Sequence, residues 1–349
     1  MLTLLALSAS ALAHSHDVPL TDAWSCRTVG SMVGPEDYAV LDQDGTRRLL
    51  VSANRYRADD SGPSQGIFSL DLATGEMVHA PLLGRDECQF HPHGVELTET
   101  GDVPELWVVV HFWESDGDNS LCKLARDPEG NALLDAVEHY RVTPEGLQFV
   151  ARIQDPLLTE PNDLVVTQDG QLFLSNNPQF TAMGLVAGAL HLWRPSEVLG
   201  YTPGSGWSVL SRRYFYSNGV LLDDSGELIV ASYGKLTRLV NTADGWEKVE
   251  ELRLRGAQDN LEIGDDGRLW VAGHPSARRF TRHALDPSDV GPSVVHALRS
   301  EEGRWVVDEG WLDESGAVQA SSTAALIGDQ LVFAQVFQPG VVVCDPRTR

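Results

Sequence analysis

The chain has 349 residues, of which 42% are hydrophobic, so it is long enough for two average domains or for one large closed architecture with a full core. Its 26 basic and 50 acidic residues give a formal net charge of −24. Because nucleic acid requires a basic surface, this charge argues against a nucleic-acid partner, whereas it is compatible with carboxylates gathered around a cation.

The N-terminal segment is apolar from Leu2 to Ala13, ends in small residues and is followed by polar ones. This pattern is typical of a secretory signal peptide, although its first residues carry no Lys or Arg. We therefore expect residues 1–13 to be a signal peptide, residues 20–349 to form a single domain, and the protein to be secreted or periplasmic. No later run approaches the roughly 20 apolar residues of a transmembrane span.

Beyond this segment, short β-type runs are separated by Gly, Asp, Asn and Pro. Six units share one pattern: an apolar strand, a turn rich in Asp and Gly, and a second apolar strand. They span residues 41–54, 94–111, 163–176, 219–232, 261–273 and 324–335. More strand-like sequence follows most units, so each unit can supply a four-stranded sheet. The sequence therefore predicts an all-β fold, a six-bladed β-propeller. The segment from Thr181 to Trp193 is either a helical insert that covers one face of the ring or an ordinary buried connection.

Four cysteines in an exported chain favour disulfides. Cys26 and Cys344 lie near opposite ends, and a bond between them would tie the first strand of the mature chain to the last. We predict that this disulfide closes the ring. Cys88 and Cys122 either pair with each other or stay reduced, and the sequence leaves both alternatives open.

The segment His91-Pro92-His93-Gly94 precedes an apolar run in the second unit. The proline fixes its own φ and favours an extended conformation in the residue before it. The glycine permits a tight turn directly after His93. We therefore expect His93 to lie where a loop enters a strand, on a backbone with little freedom.

Polar residues also precede the predicted inner strands of four other units. The inner strands of a propeller all start at one end of a central channel, so these residues are expected to converge. Ca²⁺ binds about six to eight oxygen ligands of the Asp, Glu and Asn type, whereas no Cys/His cluster has the spacing of a zinc site. The sequence therefore predicts a calcium-binding channel, and the five entry segments are Gly34-Pro35-Glu36-Asp37, His91-Pro92-His93-Gly94, Glu160-Pro161-Asn162-Asp163, Tyr216-Ser217-Asn218-Gly219 and Gln258-Asp259-Asn260.

Taken in order, these segments resemble the motifs of the paraoxonase/arylesterase family. The resemblance extends to Leu269-Trp270-Val271-Ala272-Gly273-His274-Pro275 and covers nearly the whole mature chain, from about Cys26 to Cys344. One tetrapeptide alone is a weak signal, but the ordered set is specific.

The resemblance implies a six-bladed propeller with two Ca²⁺ ions in its channel. A catalytic ion would be held by Glu36, Asn162, Asn218, Asp259 and Asn260. A deeper, structural ion would be held by Asp37, Asp163 and the backbone carbonyl of Val95. His93 matches the catalytic histidine of the family, His111 matches its partner, and His274 matches a third histidine that lines the site.

The implied activity is calcium-dependent hydrolysis of lactones and aryl esters, with calcium polarising the carbonyl and the histidine dyad activating water. Glu36 or another acid at the ion is the alternative base. Two other functions are compatible with the sequence: an exported binding scaffold whose calcium is only structural, and a gluconolactonase-like lactonase.

Some positions depart from the family pattern. The predicted insert looks shorter than in vertebrate members, and Asn177-Pro178 stands where a histidine-containing segment is expected. Gly273 replaces a cysteine that some members carry before the His-Pro pair. These departures leave open the substrate preference and any contact with membrane or lipid.

Overall fold

The computed structural model describes residues 17–43, 45–57, 65–99, 101, 103–177 and 196–347. These ranges are mostly β-structure, with helices at α1 (Leu20–Ala23), α2 (Glu114–Gly117) and α3 (Ala277–Leu285). None of the helices in the described ranges is long and apolar enough to cross a membrane. The predicted signal peptide and the predicted helical insert lie outside the described residues.

The strands follow one another in the described chain with these bounds: β1 (Val18–Pro19), β2 (Trp24–Val33), β3 (Pro35–Gln43), β4 (Thr46–Ala53), β5 (Gly66–Asp71), β6 (Met77–His79), β7 (Leu82–Leu83), β8 (His91–Thr98), β9 (Glu105–His111), β10 (Asp135–Thr143), β11 (Gly146–Ile153), β12 (Pro161–Val166), β13 (Leu172–Asn176), β14 (Ser196–Thr202), β15 (Gly206–Tyr214), β16 (Ser217–Leu222), β17 (Leu228–Thr242), β18 (Gly245–Ile263), β19 (Leu269–His274), β20 (Ser293–Glu301), β21 (Arg304–Asp313), β22 (Ser321–Ile327), β23 (Gln330–Gln335) and β24 (Pro339–Pro346).

The strands form five hydrogen-bonded sheets. One sheet contains β3 to β6, a second contains β8 to β11 with β7 at its edge, and a third contains β12 to β15. A fourth contains β22, β23 and β24, and β2 completes it. The remaining strands, β16 to β21 and β1, form a seven-stranded sheet.

The pairing register divides the seven-stranded sheet into two parts. Residues 228–232 of β17 pair with β16, whereas residues 235–242 pair with the first part of β18. The last part of β18 then pairs with β19. One hydrophobic cluster lies between the two parts, since it joins Ile229 and Ala231 of β17 to Leu269 and Val271 of β19.

Six strands contact one another in a closed series. β3 contacts β8, β8 contacts β12, β12 contacts β16, β16 contacts β18, β18 contacts β22, and β22 contacts β3. Apolar clusters fill the spaces between successive sheets around this series. The first strand of every predicted unit is therefore a member of one ring.

Strand β9 illustrates how these cores position functional residues. Its alternate residues Leu106, Val108 and Val110 pack in one hydrophobic cluster, whereas Trp107 and Val109 pack in the next. The strand is therefore buried on both faces, and each fully buried apolar side chain contributes about 1.5–3 kcal/mol. This packing fixes the end of the strand, where His111 lies.

The chain ends are joined as predicted. β2 pairs with β24 so that Cys26 lies opposite Cys344, and the two cysteines form a disulfide. The open question about the other two cysteines is answered as well, because Cys88 and Cys122 form a second disulfide. Strand β2, from the N-terminal part of the described chain, thus completes the sheet formed by the last three strands.

Candidate functional site

The five predicted entry segments lie at β-bulges, four of them at the start of a strand and the fifth within β18. The pairing register shifts at the same relative place in β3, β8, β12, β16, β18 and β22. A bulge leaves residues out of the ladder and re-aims their side chains. Six distant parts of the chain therefore present polar side chains at corresponding positions around the ring.

His93 lies inside β8, which corrects the expectation of a loop that enters a strand there. The strand already begins at His91, and Gly94 does not have a positive φ. The glycine instead permits close contact, because a Cβ at this position would lie 2.6 Å from the Asn162 carbonyl oxygen and 2.8 Å from Asp163 Cα. Glycine is therefore required at position 94 because two neighbouring strands approach each other closely there, and not because the chain turns.

Five buried residues form what we call the open oxygen set. Each is at most 5% exposed, and each has one buried side-chain oxygen without a hydrogen-bond partner among the described residues. Leaving such an atom unpaired costs about 1–3 kcal/mol, so five together require an explanation. The atoms are Glu36 Oε2, Asn162 Oδ1, Asn218 Oδ1, Asp259 Oδ1 and Asn260 Oδ1.

In four of these residues the second polar atom has a partner. Glu36 Oε1 lies 3.2 Å from His93 Nε2, and Asp259 Oδ2 lies 2.7 Å from His274 Nε2. Asn260 Nδ2 donates to Thr323 Oγ1 at 3.0 Å, and Asn162 Nδ2 lies 3.4 Å from His93 Nε2. These four side chains are thus held through one atom while an oxygen remains unpaired.

The open oxygen set has the chemistry of a calcium site. It offers two carboxylates and three amide carbonyls, and hard cations such as Ca²⁺ bind oxygen ligands of these types. Burial raises the pKa of Asp259, although its hydrogen bond to His274 opposes this shift. A bound cation would satisfy the unpaired oxygens and favour the ionised form of this carboxyl.

The two carboxylates predicted to hold a structural ion are buried but already hydrogen-bonded. Asp37 accepts from the Val95 amide at 2.8 Å and from Thr323 Oγ1 at 2.8 Å. Asp163 accepts from the amides of Val220 at 2.7 Å and Leu164 at 2.8 Å. Burial raises the pKa of Asp37 to about 6, and burial together with the charge of Asp37 raises that of Asp163.

Two further carboxyls join this pair, and the sequence reasoning missed them. Glu96 and Glu262 line a cavity of about 220 Å³ together with Asp163. Burial and the charge of Asp37 raise the pKa of Glu96 to about 8, and the same two causes raise that of Glu262. We call Asp37, Glu96, Asp163 and Glu262 the carboxylate cluster. Both glutamates lie two residues after a predicted entry segment, since Glu96 follows Gly94 and Glu262 follows Asn260, and this shared spacing is a signal that the sequence does contain.

The two predicted catalytic histidines lie in contact. His93 Nδ1 lies 3.1 Å from His111 Nε2, and His111 Nδ1 lies 2.6 Å from Asp135 Oδ1. Burial lowers the pKa of His93, but the charge of Glu36 and its hydrogen bond more than compensate, so that the pKa is raised. Asp135 was not among the predicted residues.

The sixth unit also contributes to the site, although no residue was predicted there. Ser322 Oγ donates to the Glu36 carbonyl, and Thr323 Oγ1 contacts the same oxygen at 3.1 Å. Thr323 also bonds both Asn260 and Asp37, so it connects the open oxygen set with the carboxylate cluster. Thr323 lies near the start of β22, the ring strand of the sixth unit, at a position that corresponds to the five entry segments of the other units.

Three aromatic side chains belong to the segments that carry the site. Burial of the hydroxyl, followed by the negative charge of carboxylates that include Glu36 and Asp259, raises the pKa of Tyr56 and of Tyr216. Trp113 is 54% exposed and packs edge-on against His91 with ring centroids 4.7 Å apart.

Comparison with known families gives a match that covers most of the chain. The model of a family described as Arylesterase matches residues 82–345. No curated protein sequence gives a significant match.

Comparison with solved structures shows the fold. A candidate gluconolactonase is 16% identical and aligns over 96% of both chains with a TM-score of 0.56. A gluconolactonase from Xanthomonas campestris is 14% identical over 97% of this chain and 94% of its own, with a TM-score of 0.53. A candidate oxidoreductase (glucose dehydrogenase) from Thermus thermophilus is 15% identical over 92% of this chain and 99% of its own, with a TM-score of 0.54.

Proposed function

Because the chain belongs to the arylesterase family, we propose that it is a calcium-dependent hydrolase of lactones and aryl esters. The observation that carries this proposal is the open oxygen set, of which two residues, Glu36 and Asn162, contact His93. A scaffold protein with only structural calcium has no need of a histidine dyad next to the ligand atoms. The gluconolactonase-like alternative shares this chemistry and differs only in the substrate.

The proposed architecture is a six-bladed propeller. The closed ring of six strands supports it, and so does the apolar cluster between the two parts of the seven-stranded sheet, which separates that sheet into two blades. The strand starts of all six blades then face one end of a central channel. Two Ca²⁺ ions are proposed in this channel, one at the open oxygen set and one near Asp37, Asp163 and Val95.

Calcium and the protein side chains have separate roles in the proposed reaction. Polarisation of the substrate carbonyl is the contribution of calcium at the open oxygen set. His93 Nε2 accepts a proton from water as the water oxygen bonds to the carbonyl carbon, and the same proton then leaves with the alcohol or phenol oxygen when the C–O bond breaks. His111 supports His93 during this transfer, and His274 orients Asp259. Glu36 is the alternative base.

The surroundings of the site fit a small-molecule substrate. Tyr56, Tyr216 and Trp113 offer aromatic surface that suits an aryl ester or a lactone ring. The two disulfides fit a secreted or periplasmic protein, because disulfides persist in oxidising compartments.

The decisive experiment assays a panel of small lactones and phenyl acetate with Ca²⁺, after chelation and after Ca²⁺ is restored. We expect hydrolysis that is lost on chelation and regained with Ca²⁺. Asn218→Ala is expected to lose one Ca²⁺ by equilibrium dialysis and most activity, whereas Asn241→Ala, at an exposed position of β17, serves as the matched control. Activity that survives chelation would exclude the calcium mechanism. Bound calcium without hydrolysis of any substrate would favour the scaffold.

A further inference from the structure

A carboxylate outside all the recognised motifs contacts the dyad. Asp135 is the first residue of β10, and the strand register places it directly opposite His111. It is only 8% exposed, and its Oδ1 lies 2.6 Å from His111 Nδ1. This distance is slightly below the usual range of about 2.7–2.9 Å for a charge-assisted N–H···O hydrogen bond, so the two groups are in direct hydrogen-bond contact.

The hydrogen-bond directions follow from donor and acceptor chemistry. A carboxylate only accepts, so the proton of a neutral His111 ring lies on Nδ1 and its Nε2 carries a lone pair. That lone pair faces His93 Nδ1 at 3.1 Å, so the proton of His93 lies on Nδ1. A neutral His93 ring then carries its lone pair on Nε2, and when this atom is protonated it donates to the Glu36 carboxylate.

The Nε2 atom of His93 faces the open oxygen set. It lies 3.2 Å from Glu36 Oε1 and 3.4 Å from Asn162 Nδ2. We infer that Asp135 is a positioning residue that fixes the tautomers of His111 and His93 and thereby aims the basic nitrogen of His93 at the open oxygen set. This inference rests on the proposed function, since it assigns a role within that reaction.

The fold holds Asp135 in place through the segment that precedes it. The amide of Phe112 donates to the Leu134 carbonyl at 2.8 Å and joins the two ends of this segment. The disulfide between Cys88 and Cys122 ties its middle to the chain just before β8. The position of Asp135 relative to the dyad is thus fixed by a disulfide and a backbone hydrogen bond, and not only by its contact with His111.

The same hydrogen bonds persist when His93 accepts a proton. A proton added at Nε2 is donated to Glu36, while the Nδ1–H of His93 still donates to His111. The His111 Nδ1–H in turn donates to Asp135. The directions of the hydrogen bonds between His93 and Asp135 are therefore unchanged during the transfer.

The test compares kinetics of Asp135→Ala and Asp135→Glu in the presence of Ca²⁺. We expect Asp135→Ala to lower kcat about 100-fold with KM within about threefold, because the base is misdirected while binding remains. Asp135→Glu keeps a carboxylate and is expected to recover part of kcat. Asp118→Ala is the matched control, because Asp118 lines the same neighbouring cavity as Asp135 but is exposed.

Histidine ¹⁵N NMR of the wild-type protein provides a readout that does not depend on activity. With the His111 signals identified by their loss in His111→Gln, we expect a protonated Nδ1 in the wild type and a changed tautomer population in Asp135→Ala. An unprotonated Nδ1 in the wild type would overturn the inference, and so would a kcat of Asp135→Ala within about twofold of wild type. If the wild type hydrolyses none of the substrates, the proposed function fails, whereas the NMR result still decides the role of Asp135.

Discussion

The open oxygen set and the carboxylate cluster meet on strands β3 and β12, where adjacent residues differ in their hydrogen bonding. Glu36 and Asn162 keep an unpaired oxygen, whereas the next residues in the chain, Asp37 and Asp163, have both oxygens occupied by donors. Asp37 and Asp163 therefore hold neighbouring strands together even without a ligand, whereas the unpaired oxygens of Glu36 and Asn162 find a partner only in a ligand.

The largest expected effect is a difference in stability between the two groups. Asp163→Ala leaves two buried backbone amides without acceptors, which costs about 2–6 kcal/mol in total. Asn218→Ala removes an oxygen that has no protein partner, so its loss in the metal-free protein is expected to be small. Thermal unfolding of both variants, in excess Ca²⁺ and in chelator, measures the difference. If Asp163→Ala and Asn218→Ala unfold at equal temperatures in both conditions, the proposed difference between the carboxylate cluster and the open oxygen set is wrong.

The second prediction distinguishes calcium binding from catalysis at the open oxygen set. His93→Gln is expected to retain fold and Ca²⁺ because His93 supplies none of the unpaired oxygens. Its kcat is expected to fall about 100-fold, the lower end of the range for general-base catalysis. Steady-state kinetics with equilibrium dialysis of Ca²⁺ tests both statements. If His93→Gln has near-wild-type turnover on every substrate, Glu36 and not His93 is the base.

A glycine that touches both groups offers a way to disturb them together. The Cβ in Gly94→Ala would lie 2.6 Å from the Asn162 carbonyl and 2.8 Å from Asp163 Cα, so backbone must move. We expect a destabilisation of about 1–3 kcal/mol. Gly101→Ala is the control, since its Cβ would meet nothing within 4 Å. Indistinguishable unfolding temperatures for the two variants would show that the strands do not approach as closely as described.

The smallest expected effect concerns His91, which belongs to neither group. Burial, followed by the positive charge of His111, lowers its pKa to about 4. The unfolded chain binds the proton near the ordinary value of 6.5 and the folded chain only near 4, so stability is lost as the pH falls through this window. The unfolding temperature of wild type is expected to fall more steeply between pH 7 and about 5 than that of His91→Gln. Parallel profiles would assign the acid sensitivity to other groups.

Local signals in the amino-acid sequence were enough to predict the six units and the polar residues that precede them. Asp/Gly turns and alternating apolar residues are local signals, and they located six strand–turn–strand pairs that are present as strands in the structure. The pairing of Cys26 with Cys344 also followed from sequence, because a closed ring must join its two ends. The candidate ligand residues were found because they recur at equivalent places in successive units.

The tertiary structure decided which atoms meet. The bulges of the six ring strands, the link through Thr323 and the contact of Asp135 with His111 all depend on register between segments far apart in sequence. A shift of one residue in that register would move each side chain to the opposite face of its strand. Local sequence patterns contain the period of a strand but not its alignment with its neighbours. For that reason the residue types of the site were predictable, whereas its hydrogen bonds and its unpaired oxygens were not.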